Sequence, residues 1–412
     1  MAEHHDTVII GGGQAGLAMS FHLHERGREH VILERQRVGE RWRSERWNSL
    51  HFQFPNWSIR LPGMTYTGAE PDQFSHHTNI TGFIEDCARS IAAPVRENSE
   101  VTALRRDAVT DDYLVETQNR TIRTRSVIIA TGPFQRPFIP AFCDGLPSSI
   151  LQIDAARYRS PNELPPGAVL VVGSGASGCQ IADELYHSGR TVFLSVSRHR
   201  RVPRRYHGKD MFWWFEKLGR FDITIDVFPS RKYPPSTVVT GVNGGYDVDI
   251  RQFAKEGVQV LGHVEGISDG NMALAQDVNE TLNEADKAYG DFIAAADALL
   301  VQSDLRSTLE MDERPAARGI VRDIEIKQTL NLHESNIGAV IWATGHRFDF
   351  GWVHLPLFDF LGAPIQNRGV TSCRGIYFLG LHWMHTFKSG LLSFVGEDAA
   401  YLAHYMDANS TT

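Results

Sequence analysis

The pattern Gly-x-Gly-x-x-Gly occurs twice in this chain, each time leaving an apolar run and entering a helical one. The first copy is Gly11-Gly-Gly13-Gln14-Ala15-Gly16 after Val8-Ile9-Ile10, and the second is Gly173-Ser-Gly175-Ala176-Ser177-Gly178 after Val169-Leu-Val-Val172. In a chain with 36 glycines a single copy carries little weight. Two copies in the same strand-to-helix context imply two dinucleotide sites. Gly11 and Gly173 turn the chain sharply out of the strand. Gly13 and Gly175 let the backbone approach a pyrophosphate, and Gly16 and Gly178 let the helix close on the strand so that its N-terminus faces the anion. Each copy is answered downstream by an Ala-Thr-Gly, at Ala130-Thr131-Gly132 and Ala343-Thr344-Gly345.

The residue after each second strand separates the two ligands. His30-Val-Ile-Leu-Glu34 ends in a carboxylate that accepts hydrogen bonds from ribose hydroxyls and repels a 2′-phosphate, so the first site suits FAD or NAD. Thr191-Val-Phe-Leu-Ser195-Val has no acid at its end; Ser197 and Arg198 follow, then Arg200, Arg201, Arg204 and Arg205. A cationic, hydroxyl-lined end favours a 2′-phosphate, because arginine pairs with phosphate in a bidentate fork, so the second site is expected to take NADPH.

The fold class expected is α/β, with two Rossmann-like dinucleotide-binding domains, the second nested in the first. At 412 residues the chain exceeds one ordinary domain. Residues 1–160 and 336–412 are assigned to an FAD-binding domain. Residues 165–335 form an NADPH-binding domain with an inserted aromatic-rich segment at about 206–250, centred on Met211-Phe-Trp-Trp-Phe215. That segment reads as core or as a substrate-channel lining. A helical pattern over 276–301 reads as a helix packed on a domain edge.

A net charge of −8 argues against nucleic acid as a partner, and no apolar stretch is long enough to cross a membrane. With no leader pattern and four scattered cysteines (Cys87, Cys143, Cys179, Cys373), a cytoplasmic protein with reduced thiols is expected. The missing Cys-x-x-Cys argues against a dithiol-disulfide reductase. His382 and His385 share a face if their segment is helical, yet no metal-binding cluster emerges among the 18 histidines, and no metal is expected.

Together the two fingerprints, the two Ala-Thr-Gly motifs and the nested order resemble the class B flavin-dependent monooxygenases, the group of flavin-containing and Baeyer–Villiger monooxygenases. Gly39-Glu-Arg41-Trp42-Arg-Ser-Glu-Arg-Trp47-Asn-Ser-Leu50 is similar to a bacterial flavoprotein group and to the plant YUCCA enzymes of auxin synthesis. The resemblance implies that Gly11, Gly13, Gln14, Ala15, Gly16, Glu34, Arg35, Arg41, Trp42, Phe54, Val101, Ala130, Thr131, Gly132 and Asp398 serve FAD. It maps the nicotinamide nucleotide onto Gly173, Gly175, Ala176, Ser177, Gly178, Ser197, Arg198 and Arg204, with Thr344 and Gly345 also at a cofactor. Asp398 stands just inside a closing helix over about 391–407, whose N-terminus favours the charge of reduced flavin.

The family motif F-x-G-x-x-x-H is broken here: Phe142 is out of register with Gly145, and Gln152 stands where histidine is expected. Asn56, to orient water, oxygen or NADP+, and Gln152, to hold the nicotinamide end, are the catalytic candidates. The implied activity is oxygenation of a small amine, sulfide or carbonyl substrate by O2 through a C4a-(hydro)peroxyflavin, with FAD and NADPH as cofactors. An NADPH-dependent flavin oxidase or reductase that yields hydrogen peroxide is the second reading, and a non-catalytic flavin redox sensor the third. A homodimer is compatible with the sequence.

Overall fold

A computed structural model describes residues 3–228, 233–310 and 323–409; Pro229 of the insert lies outside them. Val8, Ile9 and Ile10 end the strand Glu3–Ile10, which pairs in parallel with His30–Leu33 on one side and Thr121–Ile129 on the other. A strand flanked and covered on both faces reads as a continuous apolar run, which is why these residues are buried without alternation. Among the described residues the sheet has nine strands. Its main path runs Gln366–Asn367, Val370–Thr371, Ile376–Phe378, Thr121–Ile129, Glu3–Ile10, His30–Leu33, Val95–Arg96. An antiparallel meander, Val101–Arg106 and Tyr113–Thr117, is joined to it through Thr121–Ile129. Helix Gln14–His24 leaves the first fingerprint and packs beside the closing helix Val395–Ala408.

The second sheet is wholly parallel, in the order Leu151–Asp154, Ile337–Trp342, Ala168–Val172, Val192–Ser195, Gln259–Leu261. Two strands expected in the first domain therefore belong to the second sheet: Leu151–Asp154, and Ile337–Trp342 with its trailing Ala343-Thr344-Gly345. At the level of strands the nested domain begins before Leu151 and continues through Trp342. An apolar run marks a strand, but only tertiary pairing chooses its sheet. The chain passes between domains along two adjacent paths, where Arg136–Pro137 pairs antiparallel with His346–Arg347.

The aromatic block forms helix Met211–Lys217, capped by Asp210, whose carboxylate accepts from the Phe212 amide at 2.8 Å. Phe212 packs against Phe54 at 5.1 Å, Trp57 at 5.3 Å and Phe394 at 5.7 Å between ring centroids. The insert thus completes the core of the first domain. Helix Val278–Gln302 spans both cores, with Val278 and Leu282 in the second and Phe292, Ala296 and Leu300 in the first.

Candidate functional site: two nucleotide cradles

The two fingerprints build cradles with matching backbone angles and contacts. Gly11 (φ +112°) and Gly173 (φ +107°) hold backbone conformations that favour glycine. A Cβ on Gly11 would lie 2.6 Å from the Ala130 carbonyl oxygen, and one on Gly173 would lie 2.5 Å from that of Ala343. Each Ala-Thr-Gly therefore closes over its own fingerprint. Gly16 and Gly178 seal the helices onto the turns, since a Cβ there would come within 2.0 Å of the Gly11 oxygen and 1.9 Å of the Gly173 oxygen. At Gly13 and Gly175, by contrast, an added Cβ meets nothing within 4 Å. Both residues N-cap their helices with no side-chain hydrogen bond, so backbone donors face open space at each helix N-terminus. This is the shape and polarity that a pyrophosphate requires.

At the first cradle the Glu34 carboxylate accepts from the Gly12 amide at 2.7 Å and the Gln36 amide at 2.9 Å, which fixes it at the mouth. Arg35 is exposed beside it, and Val101, half-buried, follows Ser99, whose amide donates to the Glu34 carbonyl at 2.8 Å. Thr131 and Gly132 are tied through the Gln135 amide group, at 2.9 and 3.0 Å. The Gln14 amide donates to the Gly390 carbonyl at 2.7 Å and accepts from the Trp42 indole at 3.4 Å, so it pins the 380–394 loop over the helix start. Ala15 is buried against Gly380, a packing position. Arg41 pairs with Glu45 at 2.8 Å.

The second cradle has the same register: Val172 faces Ser195 as Ile10 faces Leu33, so Val196 occupies the place of Glu34. The acid is replaced by a buried valine. Ser174 joins the cradle to the strand end, its hydroxyl donating to the Ser197 carbonyl at 2.8 Å and accepting from the Ser197 amide at 2.9 Å. Ala176 and Ser177 open the helix, and Ser177, Ser197 and Arg198 are exposed.

The arginine run divides sharply. Arg198 has no ion-pair partner among the described residues, whereas Arg201 is buried among Asp286 at 2.8 Å, Asp249 at 3.4 Å and Asp247 at 3.7 Å. Arg204, expected at the nucleotide, is 2% exposed; its Nε donates to the Asp210 carboxylate at 2.9 Å, its Nη2 lies 2.8 Å from the same oxygen, and its Nη1 donates to the Gln53 carbonyl at 2.6 Å. It joins the insert to the first domain and offers no donor fork to a phosphate.

The remaining candidates are held within the protein. The Asn56 amide donates to the Tyr66 hydroxyl at 3.3 Å and the Glu70 carbonyl at 2.9 Å, and its oxygen accepts from Ser75 at 2.7 Å. Gln152 accepts from the Trp342 indole at 3.2 Å and donates to the Cys143 carbonyl at 3.3 Å. Phe54 is core. Thr344 donates to the Phe138 carbonyl, and Gly345 (φ +90°) is open on its Cβ side. Asp398 is buried, accepting from Ser389 at 2.7 Å and from Arg368 at 3.3 Å; it braces the turn ahead of the closing helix. His382 and His385 sit on turns, not a helix, and the described residues contain no cluster of three or more metal-ligating side chains.

Beside the two Ala-Thr-Gly turns lies a cluster of side chains that no motif announced. Phe134 follows the first Ala-Thr-Gly and His346 the second, and their rings meet at 5.2 Å. His382 packs edge-on to Phe134 at 5.0 Å, and the Arg46 guanidinium lies 5.0 Å over Trp42 and 5.9 Å over Phe134. His382 is exposed, and the surrounding protein, then the neighbouring His346, push its imidazole below the ordinary range. The sequence signal was positional for three of them: Phe134, His346 and His382 follow the C-terminal ends of parallel strands, where ligands of open α/β sheets collect. No helix among the described residues is long and apolar enough to cross a membrane. All four cysteines are free, and burial pushes the Cys87 thiol up to about 11.

Known proteins fit this geometry. A family model described as pyridine nucleotide-disulphide oxidoreductase matches residues 8–210. An uncharacterized CzcO-like oxidoreductase of Geobacillus kaustophilus is 33% identical, with 96% of this chain and 97% of that protein covered. The probable indole-3-pyruvate monooxygenase YUCCA1 of Arabidopsis thaliana is 29% identical over 50% of this chain and 51% of its own. Among solved structures, a flavin-containing monooxygenase from Stenotrophomonas maltophilia superposes with a TM-score of 0.67 at 19% identity, covering 99% of both chains. An ornithine N-hydroxylase from Kutzneria, its structure described with reduced FAD, NADP+ and ornithine, gives 0.62 at 17%, covering 99% of this chain and 100% of that one. These structural likenesses show a shared α/β fold.

Proposed function

The chain belongs to the CzcO-like oxidoreductases, flavin-dependent enzymes of the class B monooxygenase family, and from that premise we propose that it is an NADPH-dependent FAD monooxygenase acting on a small organic substrate. One observation supports this reading: the chain builds two open, uncapped helix N-termini, one keyed by Glu34 and the other followed by Arg198 with no acid, and the residues after their two Ala-Thr-Gly turns, Phe134 and His346, meet at 5.2 Å.

The residues fit both nucleotides. Gly11 to Gly16 and Glu34 would hold the ADP half of FAD, with the carboxylate on the ribose. Gly173 to Gly178 would hold the NADPH pyrophosphate, with Ser197 and Arg198 on the 2′-phosphate. Bound FAD supplies the hydride acceptor and the oxygen chemistry. The protein's own contribution is position and enclosure. Gln14 ties Trp42 and the 380–394 loop over the start of the first helix, and His382 packs on Phe134 beside them.

NADPH consumption, substrate oxygenation and hydrogen peroxide, measured together on the purified protein, test the proposal. Consumption matched by oxygenated product supports it; consumption matched wholly by peroxide across amines, sulfides and ketones refutes it. The oxidase reading has one observation in its favour: Gln152 is engaged by Trp342 and Cys143 where the family motif carries a titrating histidine.

A further inference from the structure

The two cradles differ in how the fingerprint turn is tied to the end of the neighbouring strand. In the first, the second fingerprint residue is Gly12, and a Cβ there would lie 3.0 Å from the Glu34 Cβ and 3.3 Å from its Oε2. A carboxylate latched onto the turn as Glu34 is therefore requires bare glycine opposite. In the second cradle Ser174 stands at that position and Val196 replaces the acid, both fully buried.

There the latch is rebuilt from the other side. The Ser174 hydroxyl donates to the Ser197 carbonyl at 2.8 Å and accepts from the Ser197 amide at 2.9 Å, while the Ser174 amide donates to the Ser197 hydroxyl at 3.4 Å. His199, 6% exposed, joins the same group: its Nδ1 lies 3.0 Å from the Ser197 carbonyl oxygen and 3.3 Å from the Ser174 hydroxyl. These bonds clamp the residues on either side of Arg198, whose own side chain is exposed. A guanidinium on a clamped backbone loses less freedom on pairing with a phosphate than one on a loose turn.

We propose that Ser174 is a positioning residue for nucleotide choice: together with His199 it fixes the strand-end turn so that Arg198 meets the 2′-phosphate. The inference deepens the assignment of the second cradle to NADPH and rests on it. NADP+ and NAD+ form a matched probe pair that differs only in the 2′-phosphate. Calorimetry on the flavin-loaded protein reads their affinities without turnover.

The wild-type protein is expected to bind NADP+ at least about 10-fold more tightly than NAD+. Ser174→Ala should weaken NADP+ by roughly 3- to 10-fold and leave NAD+ within about 2-fold. Ser174→Gly, which installs the first cradle's residue, should do the same. Arg198→Ala should abolish the preference, and adding Ser174→Ala to it should weaken NADP+ no further, because the serine acts through the arginine. Equal losses for both nucleotides in Ser174→Ala, or losses that add in the double variant, would overturn the proposal, for the serine would then shape the whole cradle. So would a Ser174→Ala protein with the parent's preference, or a wild-type protein that binds both nucleotides alike. The expected Ser174 effect in a protein whose NADPH consumption yields only peroxide would instead sink the monooxygenase reading and leave the Ser174 assignment standing.

Discussion

At the scale of single residues, glycines with the same spacing do opposite work, and substitution separates them. Gly13→Ala and Gly175→Ala place a methyl in space that no protein atom fills. Their thermal stability should match or exceed the parent, while Gly13→Ala loses FAD and Gly175→Ala raises the KM for NADPH. Gly16→Ala and Gly178→Ala drive a methyl onto a backbone oxygen, and unfolding should cost about 1–3 kcal/mol less, read from denaturant midpoints. Arginine divides in the same way. Arg198→Ala should raise the KM for NADPH about 10-fold or more and leave that for NADH alone, as loss of a charge-assisted pair predicts. Arg204→Ala should leave nucleotide preference alone and destabilise by about 3–5 kcal/mol, because Asp210 stays buried without its partner. The sequence made Arg198 visible through its place after a strand. It hid the fate of Arg204, whose partners, Asp210 and the Gln53 carbonyl, are brought to it by the folded insert.

At the scale of elements, both strand-turn-helix units were legible because close approach of backbone to backbone demands glycine at fixed spacing. Sheet membership was not. Leu151–Asp154 and Ile337–Trp342 read as strands, yet nothing local says that they flank Ala168–Val172 rather than join the first sheet. The site outside the motifs was harder still: Arg46, Phe134, His346 and His382 come from four separate segments and share no spacing. Asn56 shows the converse, a residue singled out by its neighbourhood that the structure binds into a brace. Its side chain ties the 54–58 turn to Tyr66, Glu70 and Ser75. Asn56→Ala should destabilise by about 1–3 kcal/mol through the orphaned Ser75 hydroxyl and Glu70 carbonyl. In the folded fraction the ratio of product to NADPH consumed should hold at its parent value. A collapse of that ratio at unchanged stability would return Asn56 to the chemistry.

At the scale of the whole molecule, the two cradles are useful only if they keep a fixed relation. Three features hold it. The Glu184 carboxylate accepts from Ser49 of the first domain and from Tyr158, both at 2.7 Å. Helix Val278–Gln302 runs through both cores. The aromatic insert from the second domain fills the first, with Arg204 fastened to the Gln53 carbonyl. Hydride transfer between two bound rings needs their approach held to fractions of an ångström, and a shared core holds it better than a flexible linker would.

The central claim is that one cradle holds FAD and the other delivers NADPH to it, and anaerobic titration of the purified protein with each nicotinamide nucleotide tests it most directly. The expected result is stoichiometric flavin in the purified chain, bleached by NADPH at lower concentrations than by NADH, with Arg198→Ala erasing that difference. Flavin absent from the folded protein and not taken up when supplied, or flavin that neither nucleotide reduces, would contradict the account.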